Sequence, residues 1–349
     1  MRAFSTLSTL AASCAALAMA FVPAAPVQAQ EVTLRLHQML PPQATIPAEA
    51  IAPWARAVEE QSQGRIKIRL FPSMQLGGRP PELFDQARDG VADVIWTVLG
   101  YTPGRFPKSE VFELPFTTGN AEQGSRAFQE FVETHAADEF QDVKLLAVHV
   151  HGPGLFHSRT PIEKLEDLRG MSVRGGSRVV NMMLEQLGAT PVGMPVPAVG
   201  EALSKGVITA TTVPWEVVPP LRVHEMVRNH TGFSGDTGLY TQTFALVMNK
   251  RSYERLPDDL KRVIDANSGS DVAALFGRAM DEGDAKALAM VSADKRNRIV
   301  ALDEAETERW KKVGEAVREA WFAEAQARGM DGRQLADEAA RLVSRHSGE

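Results

Sequence analysis

Asp167-Leu168-Arg169-Gly170-Met171-Ser172-Val173-Arg174-Gly175-Gly176-Ser177 opens a stretch, 166–216, that reads as a turn, a short strand and the start of a helix. The strand ends on Arg174. Gly175 and Gly176 free the backbone, and Ser177 is a natural N-cap for a helix whose Val180, Met183, Leu184 and Leu187 share one face before Gly188 closes it. A strand end, two glycines and a helix N-terminus turn backbone N–H groups outward, which favours an anion. The planar guanidinium of Arg174 at that mouth matches a carboxylate through two parallel hydrogen bonds. A solvated or surface-paired arginine fits the same pattern.

Beyond the helix come Leu187-Gly188-Ala189-Thr190-Pro191-Val192-Gly193-Met194-Pro195, a short helix ending near Leu203-Ser204-Lys205-Gly206, Val207 to Thr211, and Pro214-Trp215-Glu216. With Ile162 to Leu168 before it, and Met248-Asn249-Lys250 and Leu256-Pro257 after it, this run resembles the DctP-type binding proteins of tripartite ATP-independent periplasmic (TRAP) transporters. The resemblance covers nearly the whole chain past residue 29. One segment departs from it: Ile208-Thr209-Ala210 stands where that family often has Val-Asp-Gly, which puts contacts from that segment in doubt.

The resemblance implies an α/β, two-lobed periplasmic binding protein fold, type II-like, with each lobe a mixed sheet flanked by helices and a long helix spanning both. It further implies that Arg174 grips a small organic carboxylate between the lobes. The protein would then deliver it to TRAP permease subunits driven by an ion gradient, without catalysis or cofactor. A keto, hydroxy or aromatic acid is expected. A C4-dicarboxylate, a binding protein of an ABC importer or sensor, and a periplasmic enzyme on a similar fold are the alternatives.

Composition agrees with a globular protein of two ordinary domains: 349 residues, 44% hydrophobic and 23% charged, with a net charge of −6. A mildly acidic chain has no attraction for nucleic acid or anionic lipid. Residues 1–29 read as a signal peptide, with Arg2 in the n-region, an apolar run from Leu7 to Phe21, and Val27-Gln28-Ala29 as the cleavage site. A periplasmic, monomeric mature protein is expected. The one cysteine, Cys14, falls inside that leader, so the mature chain would carry no thiol. A lipidated Cys14 is the competing reading, but Ala11-Ala12-Ser13 before it lacks the usual leucine.

From Glu31 onward the pattern beats β-α-β-α-β through Val98, and the same beat recurs from Leu145 to Val213. Two lobes follow, 30–148 plus 242–283 and 149–241 plus 284–349, with chain crossings expected at Lys144–Phe156 and Leu239–Met248. A helical pattern from Pro257 to about Asp294, with Gly269, Gly277 and Gly283 as weak points and Met290 among its buried candidates, supplies the spanning helix. Two charge-rich amphipathic helices close the chain.

Ligands of open α/β sheets sit beyond the carboxyl ends of the strands. That places His37, Gln38, Trp96, Tyr101, Arg174, Thr212, Trp215 and Glu216 as candidate binding residues, with Phe244 as a further apolar wall. Arg105, Arg159 and Arg178 are the arginines available as a second cation for a dicarboxylate. His149, His151 and His157 raise a metal site, but no carboxylate stands at ligand spacing and no metal is expected. His224-Glu225-Met226-Val227-Arg228 lacks the second histidine of a zincin helix, and Gly152-Pro153-Gly154 ends on His157 where a dinucleotide loop needs glycine. Processing after Ala29 makes Gln30 the first residue of the exported protein. N-terminal sequencing checks this, and a lipid-modified Cys14 start would overturn it.

Overall fold

The computed structural model describes residues 31–348. The expected leader, with Cys14 and the start at Gln30, lies outside these residues. The chain opens with β1 (Val32–His37), α1 (Ala52–Gln61), β2 (Ile66–Phe71), α2 (Leu83–Asp89), β3 (Val94–Val98), α3 (Ala121–Phe131) and β4 (Val143–Val150). It continues through β5 (Leu155–Ser158), β6 (Ser172–Gly175), α4 (Arg178–Gln186), β7 (Thr190–Gly193), α5 (Val199–Ser204), β8 (Ala210–Val213), α6 (Val223–Met226) and β9 (Asn229–Gly232). Last come β10 (Thr243–Asn249), α7 (Lys250–Glu254), α8 (Asp258–Ala266), α9 (Ser270–Ala293), β11 (Arg298–Ala301), α10 (Glu304–Ala327) and α11 (Gly332–Ser347).

Two mixed sheets result. The first runs β2-β1-β3-β10-β4, and only β10 is antiparallel to its neighbours; the second runs β11-β9-β5-β8-β6-β7, with β5 as the antiparallel member. Sequence explains the positions of individual strands. β3 is buried along its whole length and lies in the middle of its sheet, whereas β2 hides Ile66 and Ile68 and turns Lys67 and Arg69 outward at an edge.

The chain passes between sheets through 151–154, inside the first stretch expected from sequence, and through 233–242, which begins six residues before the second expected stretch and overlaps it only at 239–242. These crossings bond to each other: the Gly154 N–H donates to Tyr240 O at 2.9 Å and the Leu239 N–H to Gly154 O at 3.2 Å. Glycine is needed for the approach. A Cβ on Gly154 would stand 2.3 Å from the Tyr240 ring, and one on Gly238 would stand 2.5 Å from the Pro153 backbone.

A third connection is α9, 24 residues and so about 36 Å long. It packs against α3 and β4 of the first lobe and against Trp215–Val217 of the second. Asp281 accepts the N–H groups of Ala121 and Glu122 at 2.8 and 2.9 Å, capping α3, while Asp284, one turn on, accepts the Glu216 N–H at 2.6 Å. One helix thus caps an element in each lobe.

Several expectations are corrected. Of the three expected weak points Gly269 does sit at a helical break, 267–269, but Gly277 and Gly283 do not weaken α9; they let it approach Ala121–Glu122 and Thr45–Glu216. Met290 is 45% exposed. α11, grouped from sequence with the second lobe, lies on α3, with Ala336, Ala339 and Leu342 in the core of the first. A stripe of small apolar residues signals a buried face without saying which lobe covers it. α10 does pack on α4, and Trp310 meets Phe156 edge-on at 5.5 Å.

Gly277→Ala separates helix propensity from packing. Propensity alone would stabilise the helix by about 1 kcal/mol. A Cβ here would stand 2.4 Å from Ala121 O and 2.6 Å from Glu122 Cα, and backbone cannot swing aside. Urea denaturation should therefore show a loss of about 1–3 kcal/mol, and a gain would overturn the close-packing account.

Candidate functional site

Arg174 is the next-to-last residue of β6, which lies between β7 and β8, and is 1% exposed. Its Nε–H donates to Met194 O at 3.0 Å and Nη1–H to Thr212 O at 3.1 Å, while Thr212 Oγ1 returns a bond to Arg174 O at 3.1 Å. Nη2 is buried with no partner, and the ion pairs formed among the described residues do not include Arg174. A buried cation with one donor edge unanswered is costly unless an anion meets it. Gln242 stands in the same position, its Nε2 buried and unpartnered. Both side chains line one interlobe cavity of about 30 Å³.

Trp96, Tyr101 and Glu216 line that cavity as well. The Trp96 indole N–H donates to His149 Nε2 at 2.8 Å, and Phe244 stacks on both rings within 8° of parallel, at 5.3 and 4.7 Å. This makes a fixed aromatic shelf. Tyr101 reaches across the cleft, its hydroxyl accepting the Val196 N–H at 2.8 Å. Burial raises the Tyr101 phenol, with Arg174 opposing. Apolar side chains, among them Met39, Leu40 and Val217, cover much of the remaining wall.

Four candidates stand outside the cavity lining. His37 is held by Gln86, 2.6 Å from Nδ1, and by the Leu76 N–H at 3.3 Å on Nε2. Gln38 folds back on Leu40, bonding its carbonyl at 2.7 Å and also its N–H, so it shapes the loop that presents Met39 and Leu40. Thr212 contributes its carbonyl to Arg174 instead of its side chain to the cavity. Trp215 points away, packed at 5.1 and 5.2 Å on His157 and His230, while its neighbours Pro214 and Glu216 face in. Ile208, Thr209 and Ala210, which depart from the family pattern, are also outside the lining.

The second-cation candidates are engaged elsewhere: Arg105 with Asp85 at 2.8 Å, Arg159 with the Leu203 carbonyl, and Arg178 with Glu110 and Glu324. Arg174 is the one arginine lining the cavity, and no lysine joins it. The histidines are neutral and occupied. Burial lowers His149 to about 3 and His151 to about 4, where nearby Arg174 adds to the effect, and it takes His157 well below its ordinary value. His151 accepts the Gln242 N–H at 3.1 Å, and His157 pairs with His230 at 2.8 Å. Among the described residues no three histidine or carboxylate side chains gather as a metal cluster.

Gln242, Met39 and Leu40 escaped the sequence reading. The available signal for Gln242 was a polar residue at the start of an otherwise apolar crossing strand. A glycine seats it: a Cβ on Gly176 would lie 2.1 Å from its Oε1, while one on Gly100 would stand at ordinary contact distance, 3.4 Å, from its Nε2. Below them Glu113 bonds Thr243 twice through Oε1, at 3.1 and 2.8 Å, and burial pushes its carboxyl up to about 7.

The mouth is latched. Arg178, first residue of α4, makes a two-pronged contact with Glu110 of the first lobe, at 3.1 and 2.5 Å, and Trp321 Nε1–H donates to the same carboxylate at 3.1 Å. Ser177 caps α4 by accepting the Val180 N–H at 3.3 Å. Gly100 presses so close that a Cβ there would be 2.5 Å from Ser177 Cβ.

Two mixed lobes, joined by paired crossings and shut on an unanswered guanidinium, define a two-lobed solute-binding protein. The chain belongs to the bacterial extracellular solute-binding protein family 7, DctP, whose profile matches residues 37–325. It is 47% identical to a TRAP solute-binding protein from Rhodoferax ferrireducens in complex with copurified benzoate, over 90% of this chain and 98% of that one, with a TM-score of 0.89. A marine metagenome TRAP protein specific for aromatic acids, with 3-hydroxybenzoate, is 46% identical over 91% and 99% of the two chains, also at 0.89. A Bordetella bronchiseptica TRAP protein with bound mandelate is 30% identical over 90% and 99%, at 0.83.

Arg178→Ala removes both bonds of the latch and should cost about 1.5–3 kcal/mol in denaturation. Because the pair forms only when the lobes meet, small-angle scattering should also show a larger radius of gyration than wild type. Reduced stability with unchanged scattering would mean that the pair supports packing and not closure.

Proposed function

We propose that this protein captures an aromatic monocarboxylate in the periplasm, closes over it, and delivers it unchanged to the permease subunits of a TRAP transporter. The observation that carries this reading is the buried Nη2 of Arg174, unpartnered beside the equally unpartnered Nε2 of Gln242. A carboxylate answers both donors at once. The aromatic shelf of Trp96 and Phe244 suits a planar ring, and the solved relatives hold benzoate, 3-hydroxybenzoate and mandelate. A dicarboxylate is disfavoured because no second arginine or lysine lines the cavity to meet its other charge.

Capture is coupled to hinge motion. A benzene-sized ligand takes a cavity of roughly 150 Å³, against 30 Å³ in the closed arrangement. The lobes must part to admit the ring. Contacts to both lobes then favour reclosure around the ring, in an arrangement with a wider cavity than this one, and only such differential contacts shift the population.

Calorimetry with benzoate tests the reading. Wild type should bind, while Arg174→Ala, which leaves the ligand charge desolvated, should lose about 3–5 kcal/mol. Arg174→Lys should also bind poorly, because an ammonium cannot reproduce the planar fork. Folded variants that keep full affinity would overturn the assignment, as would wild type binding succinate in preference to benzoate.

A further inference from the structure

A second interlobe pocket, about 370 Å³, adjoins the cavity that holds Arg174. Three chain segments pass from the wall of one to the wall of the other. Val98 lines the cavity and Gly100 the outer pocket, Arg174 the cavity and Gly175 the outer pocket, Val196 the cavity and Pro195 the outer pocket. Of the described residues only Tyr101 lines both. Its side chain crosses from the first lobe, and its hydroxyl accepts the Val196 N–H of the second at 2.8 Å, at the peptide link where that wall changes over. Tyr101 is 8% exposed, whereas Pro103 and Gly193 of the outer pocket are fully in the exposed range, so the outer pocket reaches solvent.

We infer that the Tyr101 ring is the partition between these two spaces and sets the size limit of the site, admitting aromatic acids of one ring and refusing those that carry a second. The inference rests on the aromatic-acid reading above and adds the residue that bounds the ligand. A benzene-sized ring takes a cavity of roughly 150 Å³, so the 370 Å³ beyond Tyr101 has room for a second ring once the partition is gone. Gly100, Gly175, Gly176 and Gly193 contribute no side chain to that space, which leaves it open. With the partition in place, a second ring must displace a buried phenol, break its bond to Val196 and leave that N–H without its acceptor. A clash of this kind falls on the larger acid and spares the smaller one.

Calorimetry with benzoate and with biphenyl-2-, biphenyl-3- and biphenyl-4-carboxylate tests this. Wild type should bind each biphenyl acid about tenfold or more weakly than benzoate. In Tyr101→Ala the ratio of biphenyl to benzoate affinity should rise by about tenfold or more for at least one of the three, while Tyr101→Phe, which keeps the ring and loses only the bond to Val196, should keep most of the discrimination. Wild type binding any biphenyl acid as tightly as benzoate would overturn the inference, as would full discrimination against all three in folded Tyr101→Ala. Discrimination lost as completely in Tyr101→Phe as in Tyr101→Ala would overturn the ring as the barrier. Should Tyr101→Ala fail to fold, Tyr101→Leu, whose side chain is too short to reach Val196, takes its place with the same two outcomes. If benzoate binds through Arg174 and discrimination does not depend on Tyr101, this inference alone fails; if no aromatic acid binds, the underlying reading fails with it.

Discussion

A guanidinium buried at Arg174 with one edge unanswered is the constraint on which the architecture depends. Parallel pairing of β6 with β7 and β8 brings the Met194 and Thr212 carbonyls to two of its donors, which fixes the plane of the fork. The third donor edge is left to the cavity. Desolvating a cation in this way is unfavourable by itself, and in the proposed function a carboxylate held in the same plane offsets it. Neutral surroundings sharpen the demand. Burial keeps His149 and His151 unprotonated, so neither adds a second charge near the first.

The rest of the molecule holds the two lobes in register through three connections. Asp281 and Asp284, one turn apart on α9, cap an element in each lobe, and burial raises both carboxyls above their ordinary range. The crossing segments are paired through Gly154 and packed at Gly238, where side chains would collide. One continuous helix and two thin ribbons are the connections about which a hinge would work. At the far side the Arg178–Glu110 contact forms only when the lobes meet, so closure gains protein contacts in addition to those made by ligand.

Much of this was legible along the chain. Alternation at Ile66 and Ile68, the buried run of β3, the Ser177 cap and the Gly188 stop are local features, because each reflects the period or the dihedral preference of a few adjacent residues. Other features were not local. α11 carries an apolar stripe that any lobe could cover, and Gly277 reads as a weak point until α3 is found lying against it.

The cavity divides in the same way. Sequence by itself determined the strand-glycine-helix unit that bears Arg174, the two α/β lobes and the resemblance to TRAP binding proteins, since these depend on short-range pattern. Tertiary structure decided which side chains face the ligand space. His37 and Gln38 turn into their own loop while Met39 and Leu40 face the cavity, and Trp215 packs on two histidines while Glu216 faces in. Past the end of a strand the strict alternation of faces lapses, and the direction of each side chain is set by turns and by the opposite lobe. Gln242 fits where it does because Gly176, distant in sequence, leaves room for its amide.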